Sequence, residues 1–355
     1  MRACLLILAA SAVVGCRATE PTQVDPTPKG DRRFGIHITM ASDNDYGKAF
    51  TAARATSMNM IAFGLSWTDV EKPSGWDTSL LDIANVFFGP QGLPIYFTIT
   101  SPINTIVPEV PAAVQGLPYD DPRMIAGFSR FLDTLRAHTA NLRIEVLVIG
   151  NEIDGLLGSD PAAWGRYQTF FEAARGRAKQ LWGPTLSVGT TITRDGLSLA
   201  PVAAAIDRLI AASDLASITY YPLAADFSVR APTVASADID GVVARIAAKP
   251  IYFQEIGYQT SATSGSSEEL QRQFAEEVFR AWDRHVDRIK YLGWLWLTDL
   301  SAEQTAELLR YYGVENSPAT AQFGEYLRTL GIRRHDGVAK PGYTAIQSLL
   351  RARGW

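Results

Sequence analysis

Two glutamates stand out for the chemistry their surroundings would permit. One closes the run "VLVIGNEIDG", Val146 to Gly155, where four apolar residues lead into Gly150, Asn151 and Glu152. The other is Glu255, within "IYFQEIGY", Ile251 to Tyr258. A carboxylate at the end of an apolar strand is costly unless it is paired, solvated or functional. Two carboxyl groups facing each other across a cavity can divide the work of glycoside hydrolysis, one as proton donor and one as nucleophile or base. The bland alternative is a pair of surface glutamates held in salt bridges.

The surrounding elements decide whether the two can meet. Eight short β-like runs are read: Arg33–Met40, Met58–Trp67, Leu93–Thr100, Ile144–Glu152, Thr185–Ile192, Leu215–Pro222, Pro250–Tyr258 and Tyr291–Asp299. Amphipathic stretches lie between them. "DDPRMIAGFSRFLDTLRAH", Asp120 to His138, has an acidic cap, an early proline, and apolar residues Met124, Ile125, Phe128, Phe131, Leu132 and Leu135 at helical spacing. "EELQRQFAEEVFRAWDRHV", Glu268 to Val286, repeats the pattern with Leu270, Phe274, Val278, Ala281 and Trp282. Strands alternating with helices imply parallel strands and right-handed crossovers. Eight such units point to an α/β fold, the (β/α)8 TIM barrel. A doubly wound sheet would open with a glycine-rich phosphate loop; "HITMASDND" follows the first strand instead.

In such a barrel the active site lies at the C-terminal strand ends. Glu152 would end strand four and Glu255 strand seven. They lie about 100 positions apart, as three βα units of about 30 residues require. Side-chain alternation places Ile144, Val146, Val148, Gly150 and Glu152 on one face, and Ile251, Phe253 and Glu255 on another. Both carboxyls would then face the mouth. Tyr220 and Tyr221 end strand six, Trp294 and Trp296 lie on strand eight, His37 on strand one, and Trp67 ends strand two.

With these residues in place, the chain resembles the clan A glycoside hydrolases over nearly the whole domain. "FGLSWTDVEKPSGWDTSLLD" (Phe63 to Asp82), "VIGNEI", "ITYYPL", "KPIYFQEIGY" and "RRHDGVAKPGYTAIQSLL" (Arg333 to Leu350) are similar, in order, to that clan's strand-two, strand-four, strand-six, strand-seven and closing segments. "ITYYPL" is similar to the family 53 galactanases in particular. No arginine ends strand two, unlike some families of the clan. The resemblance implies a retaining mechanism on a β-linked polysaccharide or oligosaccharide, with Glu152 as acid/base and Glu255 as nucleophile. It implies that Asn151 binds the sugar 2-hydroxyl and that a tyrosine orients Glu255; alternation favours Tyr221, which shares a face with Ser217 and Thr219, over Tyr220, which shares one with Ile218. Trp67, Trp76 and Trp296 are candidate sugar platforms, each equally able to be core, and Trp296 is expected to share a face with Trp294. His37 either binds a sugar hydroxyl or is an ordinary barrel histidine. A catalytically silent carbohydrate-binding lipoprotein and a transglycosidase remain open.

No metal or cofactor is expected. His37, His138, His285 and His335 are scattered without ligand spacing, and no Gly-x-Ser-x-Gly elbow is present. The net charge of −4, without basic runs, argues against nucleic acid. The amino-terminal end reads as residues 1–15, a lipoprotein signal closing in Val13-Val14-Gly15-Cys16; residues 16–31, a polar tether lipid-anchored through Cys16; and residues 32–355, one catalytic domain. Loss of Cys4 and lipidation of Cys16 would leave no cysteine for a disulfide. A monomer in the cell envelope is expected, at the outer membrane or cell surface, since Arg17 and not an acidic residue follows Cys16.

Overall fold

The structure, a computed structural model, describes residues 26–246 and 248–355; Cys16 and the signal segment lie outside them. Eight parallel strands form the barrel: β1 Arg33–Ile36, β2 Ile61–Leu65, β3 Ile95–Asn104, β4 Ile144–Asn151, β5 in two pieces, Ser187–Gly189 and Thr191–Thr193, β6 Ala216–Tyr220, β7 Ile251–Ile256 and β8 Ile289–Trp294. Pairing runs β2-β3-β4-β5 through the first piece of β5 and β5-β6-β7-β8-β1 through the second. The amides of Asn59 and Met60 close the ring by donating to the Phe34 carbonyl at 3.0 and 3.2 Å. The expected (β/α)8 barrel is the fold observed.

Helices cover the outside: α1 Tyr46–Arg54, α2 Ser79–Phe88, α3 Pro122–His138, α4 Pro161–Trp182, α5 Ala203–Ala212, α6 Val234–Arg245 and α7 Glu268–Arg284. Local chemistry starts them. Asp121 accepts the Arg123 amide at 2.8 Å ahead of α3, and Pro122 has no amide to leave unpaired. Ser267 accepts the Leu270 amide at 3.1 Å ahead of α7. The periodic residues Met124, Phe128, Phe131, Leu132 and Leu135 are buried, whereas Ile125 and Leu270 are only half-buried at the stripe edge. Each fully buried side chain of this size contributes roughly 2 kcal/mol. Three further helices follow β8: α8 Ala302–Tyr311, α9 Thr320–Arg328 and α10 Pro341–Arg351. Among the described residues no helix is long and apolar enough to cross a membrane.

The barrel interior is filled from below by Met60, Tyr96, Val146, Val148, Leu215 and Tyr291, with the Tyr96 and Tyr291 rings stacked at 4.7 Å. A polar layer sits above it. Thr191 donates to Gln254 Oε1 at 2.6 Å, and the Tyr96 and Ser217 hydroxyls share a bond of 2.7 Å. The chain enters at the opposite face of the barrel. There Arg32 donates to the carbonyls of Thr27, Pro28 and Lys29 and to Asp283 at 3.0 Å, under the Trp282 ring. The last residues of the expected tether are thus fastened beside β1.

Strand β4 leaves extended geometry at its upper end. Gly150 has φ +79, a conformation that glycine adopts without steric cost. A Cβ there would collide with the Tyr167 hydroxyl and the Ile153 side chain. Gly150→Ala is therefore expected to cost about 2 to 5 kcal/mol, read as a lower urea midpoint at unchanged slope.

Candidate active site

Glu152 and Glu255 line one cavity of about 540 Å³ at the C-terminal mouth of the barrel, with His37, Asn151, Tyr221 and Trp296. The two carboxyls arrive there by routes that simple alternation does not describe. On β4, Val146 and Val148 face inward, but Ile144 packs outward, because the register against β3 shifts between them. Beyond Val148, Gly150 and Glu152, at φ +79 and +46, turn the chain so that both Asn151 and Glu152 reach the mouth. On β7 the expected face is reversed. Ile251 and Phe253 pack outward, Phe253 against Tyr220, while Tyr252 packs on the interior cluster and Gln254 joins the polar layer. The register then slips between Phe253 and Ile256 against both neighbours. This bulge re-aims Glu255 into the mouth, the usual effect of an extra residue in a strand.

Hydrogen bonds hold each carboxyl. Glu152 accepts from Thr219 at Oε1 and from Thr105 at Oε2, both at 2.7 Å. Glu255 Oε2 accepts from the Tyr221 hydroxyl at 2.7 Å. Tyr220 instead donates to Asp238 in the helix layer at 2.9 Å, so Tyr221 and not Tyr220 is the tyrosine in contact with Glu255. Gln254 Nε2 donates to Asn151 Oδ1 at 2.6 Å and lies 3.4 Å from Glu255 Oε1. Asn151 Nδ2 donates to Asn104 Oδ1 at 3.0 Å. His37 Nε2 is 3.0 Å from the Gln254 carbonyl; a carbonyl only accepts, so Nε2 carries the hydrogen.

Burial, and after it the charge of Glu255, pushes the Glu152 carboxyl up from 4.5 to about 7, against the opposing pull of its two threonine bonds. Burial also raises the Tyr221 hydroxyl well above its ordinary value, and Glu255 adds to that.

The tryptophans divide. Trp296 lines the cavity, but it does not share a face with Trp294: β8 ends at Trp294, which packs outward on Phe274 at 5.8 Å. Trp67 is not at the mouth. It is 1% exposed, packs on Phe128 and Phe131 beneath α3, and donates its indole N–H to Glu71 at 2.7 Å. Trp76 is exposed on the hairpin Gly75–Trp76 and is absent from the cavity lining. His138 and His285 pair with Asp82 and Asp240 away from the mouth. Among the described residues no group of three or more His, Cys, Asp or Glu is placed to hold a metal.

Several site residues carried no signal in the sequence reading. Thr105 and Asn104 sit in unremarkable segments, and Thr219, inside "ITYYPL" on the inward face, reads as barrel lining and not as a partner of Glu152. Gln254 adjoins Glu255 and could have been suspected from that alone. The wall built by α8, α9 and their connection, including Leu308, Tyr312 and Phe323, has no motif at all.

No family profile matches the chain, and no curated protein matches it in sequence. Solved structures resemble it in fold. A GH5_18 from Bifidobacterium longum superposes with TM-score 0.68 at 14% identity, covering 90% of this chain and 79% of that one. A GH5_18 from Streptomyces cattleya in complex with GlcNAc gives 0.67 at 15%, covering 92% and 80%. The GH53 catalytic domain of Ignisphaera aggregans gives 0.63 at 15%, covering 92% and 99%. These glycoside hydrolase barrels share the architecture that the sequence resemblance implied.

The raised Glu152 carboxyl links folding to pH. Its folded value, about 7, exceeds its ordinary 4.5, so its favourable contribution is complete below about pH 4.5 and is lost as pH rises through 7. The loss is at most about 3 kcal/mol. Glu152→Gln should therefore melt above the wild type at pH 8, and the gap should close toward pH 4.5. A constant gap across that range would mean that Glu152 is not perturbed.

Proposed function

We propose that the protein is a retaining glycoside hydrolase acting on a β-glycoside, with Glu255 as nucleophile and Glu152 as acid/base. The observation that carries this reading is a carboxyl raised to about 7 in the same cavity as a second carboxyl that a tyrosine hydroxyl holds at 2.7 Å. Two carboxylates with environments that differ in this way suit the two roles of glycoside cleavage.

In the first step Glu255 attacks the anomeric carbon. The bond to the leaving oxygen breaks as Glu152 gives that oxygen its proton, and a covalent glycosyl-enzyme forms. Esterification removes the Glu255 charge, so the Glu152 value falls and the carboxylate becomes a base. It then takes a proton from water, whose oxygen displaces Glu255 and restores the starting state. Asn151 binds the sugar next to the reacting carbon, Trp296 packs on the ring's C–H face, and His37 and Asn104 complete a polar floor.

Fold likeness at this identity supports the architecture and not the substrate. Two neighbouring GH5_18 variants are complexes with Manβ1-4GlcNAc, which makes β-mannosides a sensible inclusion in a screen. For the cell, we carry the lipid anchor at Cys16 as part of the proposal. Arg32 holds residues 27–29 beside β1, so an anchored tether would join the barrel opposite its mouth.

The test is a screen of aryl β-glycosides, β-galactan, β-mannan, β-glucan and xylan with the wild type and variants. Glu255→Ala should abolish turnover, and Glu152→Gln should lower it by about 10²- to 10⁴-fold. Tyr221→Phe removes a hydrogen bond to a charged group and should lower kcat by about 10- to 100-fold. The rate should fall above about pH 7 as Glu152 loses its proton. Proton NMR should first show product with the β configuration; the α anomer would contradict the retaining mechanism, and turnover surviving Glu255→Ala would contradict the nucleophile. Transfer of sugar to an added alcohol in preference to water would mark a transglycosidase.

A further inference from the structure

Most polar groups of the cavity lie on its floor. His37, Asn104, Asn151, Glu152 and Glu255 belong to the strand ends and the loop after β3. The wall above is mostly carbon, with Tyr312 and Tyr326 carrying its hydroxyls. It comes from the segment inserted between β8 and α10, where Leu308 of α8, Val314, and Phe323 and Leu327 of α9 all face the cavity. Leu308 and Phe323 pack on a small cluster around Leu295 and Tyr326, separate from the main barrel core, and both remain half-buried, open to whatever fills the cavity.

This wall is held over the proton donor. Tyr311, at the end of α8, donates to Glu109 Oε1 at 2.6 Å and accepts from Asn104 Nδ2 at 2.8 Å. Asn104 and Glu109 belong to the β3 side of the mouth, and β3 and β8 are not neighbours in the barrel. The bridge therefore ties two separated parts of the rim together. The next residue, Tyr312, lines the cavity together with Thr105, which donates to Glu152.

The leaving group must lie beside the acid that protonates it. We propose that the site takes a β-glycoside whose leaving group is apolar, an alkyl or aryl aglycone, with a single sugar on the floor. This rests on the glycosidase reading above and narrows its substrate away from the expected polysaccharide. A second sugar would turn most of its hydroxyls toward Leu308, Val314 and Phe323, which offer no hydrogen bond, with only Tyr312 and Tyr326 as partners on that wall, and unpaired polar groups in such a site are disfavoured. A hydrocarbon loses nothing there and gains by leaving water. A cavity of about 540 Å³ lies in the range that encloses a small amphiphile.

The experiment uses the full chain carrying Cys16→Ser, so that no lipid is attached, and Glu152→Gln, so that ligand is not consumed. Calorimetric titration compares methyl and octyl β-D-glucoside, galactoside, mannoside and xyloside below their micellar concentrations, together with a β-linked disaccharide of each sugar. For the sugar that binds, the octyl glycoside should bind about 100-fold more tightly than the methyl glycoside. Leu308→Asn and Val314→Asn, at half-buried positions that tolerate polar residues, should each shrink that ratio while leaving the melting temperature near that of the parent. Equal affinity for methyl and octyl forms of every sugar overturns the proposal, as does tighter binding of a disaccharide than of the octyl glycoside. The hydrolase reading fails separately. An octyl preference without sugar release by the Glu152-containing chain keeps the ligand class and removes the catalysis; sugar release without an octyl preference does the reverse.

Discussion

Two carboxyl groups share one partly desolvated cavity, and ionising both is expensive. Burial raises the cost of charging Glu152, and the nearby charge of Glu255 raises it further. The arrangement around them answers this asymmetrically. Glu152 is the carboxyl pushed up to about 7, so near neutrality it shares its time between acid and base. Glu255 receives the Tyr221 hydroxyl, a donor suited to an anion. The two threonine hydroxyls on Glu152 limit its rise without reversing it. Glu152 thus stays within reach of both protonation states, which the proposed two-step transfer of a glycosyl group requires.

Holding that pair demands irregular backbone, and the irregularity is concentrated where the barrel can bear it. Thr105, Gly150 and Glu152 all have positive φ, and β7 is bulged beside Glu255. Below them lies a stacked interior of Tyr96, Tyr252 and Tyr291 with Val146 and Val148. Between the two sits Gln254, which accepts from Thr191 and donates to Asn151. The amide links three strand ends to one another, so β4, β5 and β7 cannot shift independently at the mouth. Strain at the site is offset by packing in the interior and by the helix layer outside.

What could be read in the sequence follows from what is periodic. The barrel, the helices α3 and α7, and the two glutamates at the ends of β4 and β7 were legible, because apolar spacing and strand ends repeat. The faces of the strands were less so. Alternation counted back from Glu255 assigned Phe253 to the interior, whereas Gln254 occupies it, since the bulge between Phe253 and Ile256 breaks the alternation there. The same weakness paired Trp294 with Trp296. Trp67 shows a different limit: a tryptophan at a strand end is as readily core as platform, and here α3 supplies Phe128 and Phe131 to cover it. Thr105 and Asn104 could not be found at all, and Thr219 was legible only as an inward-facing strand residue. Their roles depend on contacts between strand ends and a loop that meet only in three dimensions.

The carbon wall and the raised carboxyl are two consequences of one feature. Burial is the leading cause of the shift at Glu152, and part of the surface that buries it is Tyr312 and its neighbours on the segment after β8. Low polarity on that side penalises a charged Glu152 and equally penalises a hydrated leaving group. An apolar aglycone entering the same space would displace remaining water and raise the proton donor further, at the moment its proton is needed. A polar wall would relax the carboxyl toward its ordinary value and admit a second sugar. Under the proposed reaction, the choice of leaving group and the tuning of the acid then depend on the same side chains.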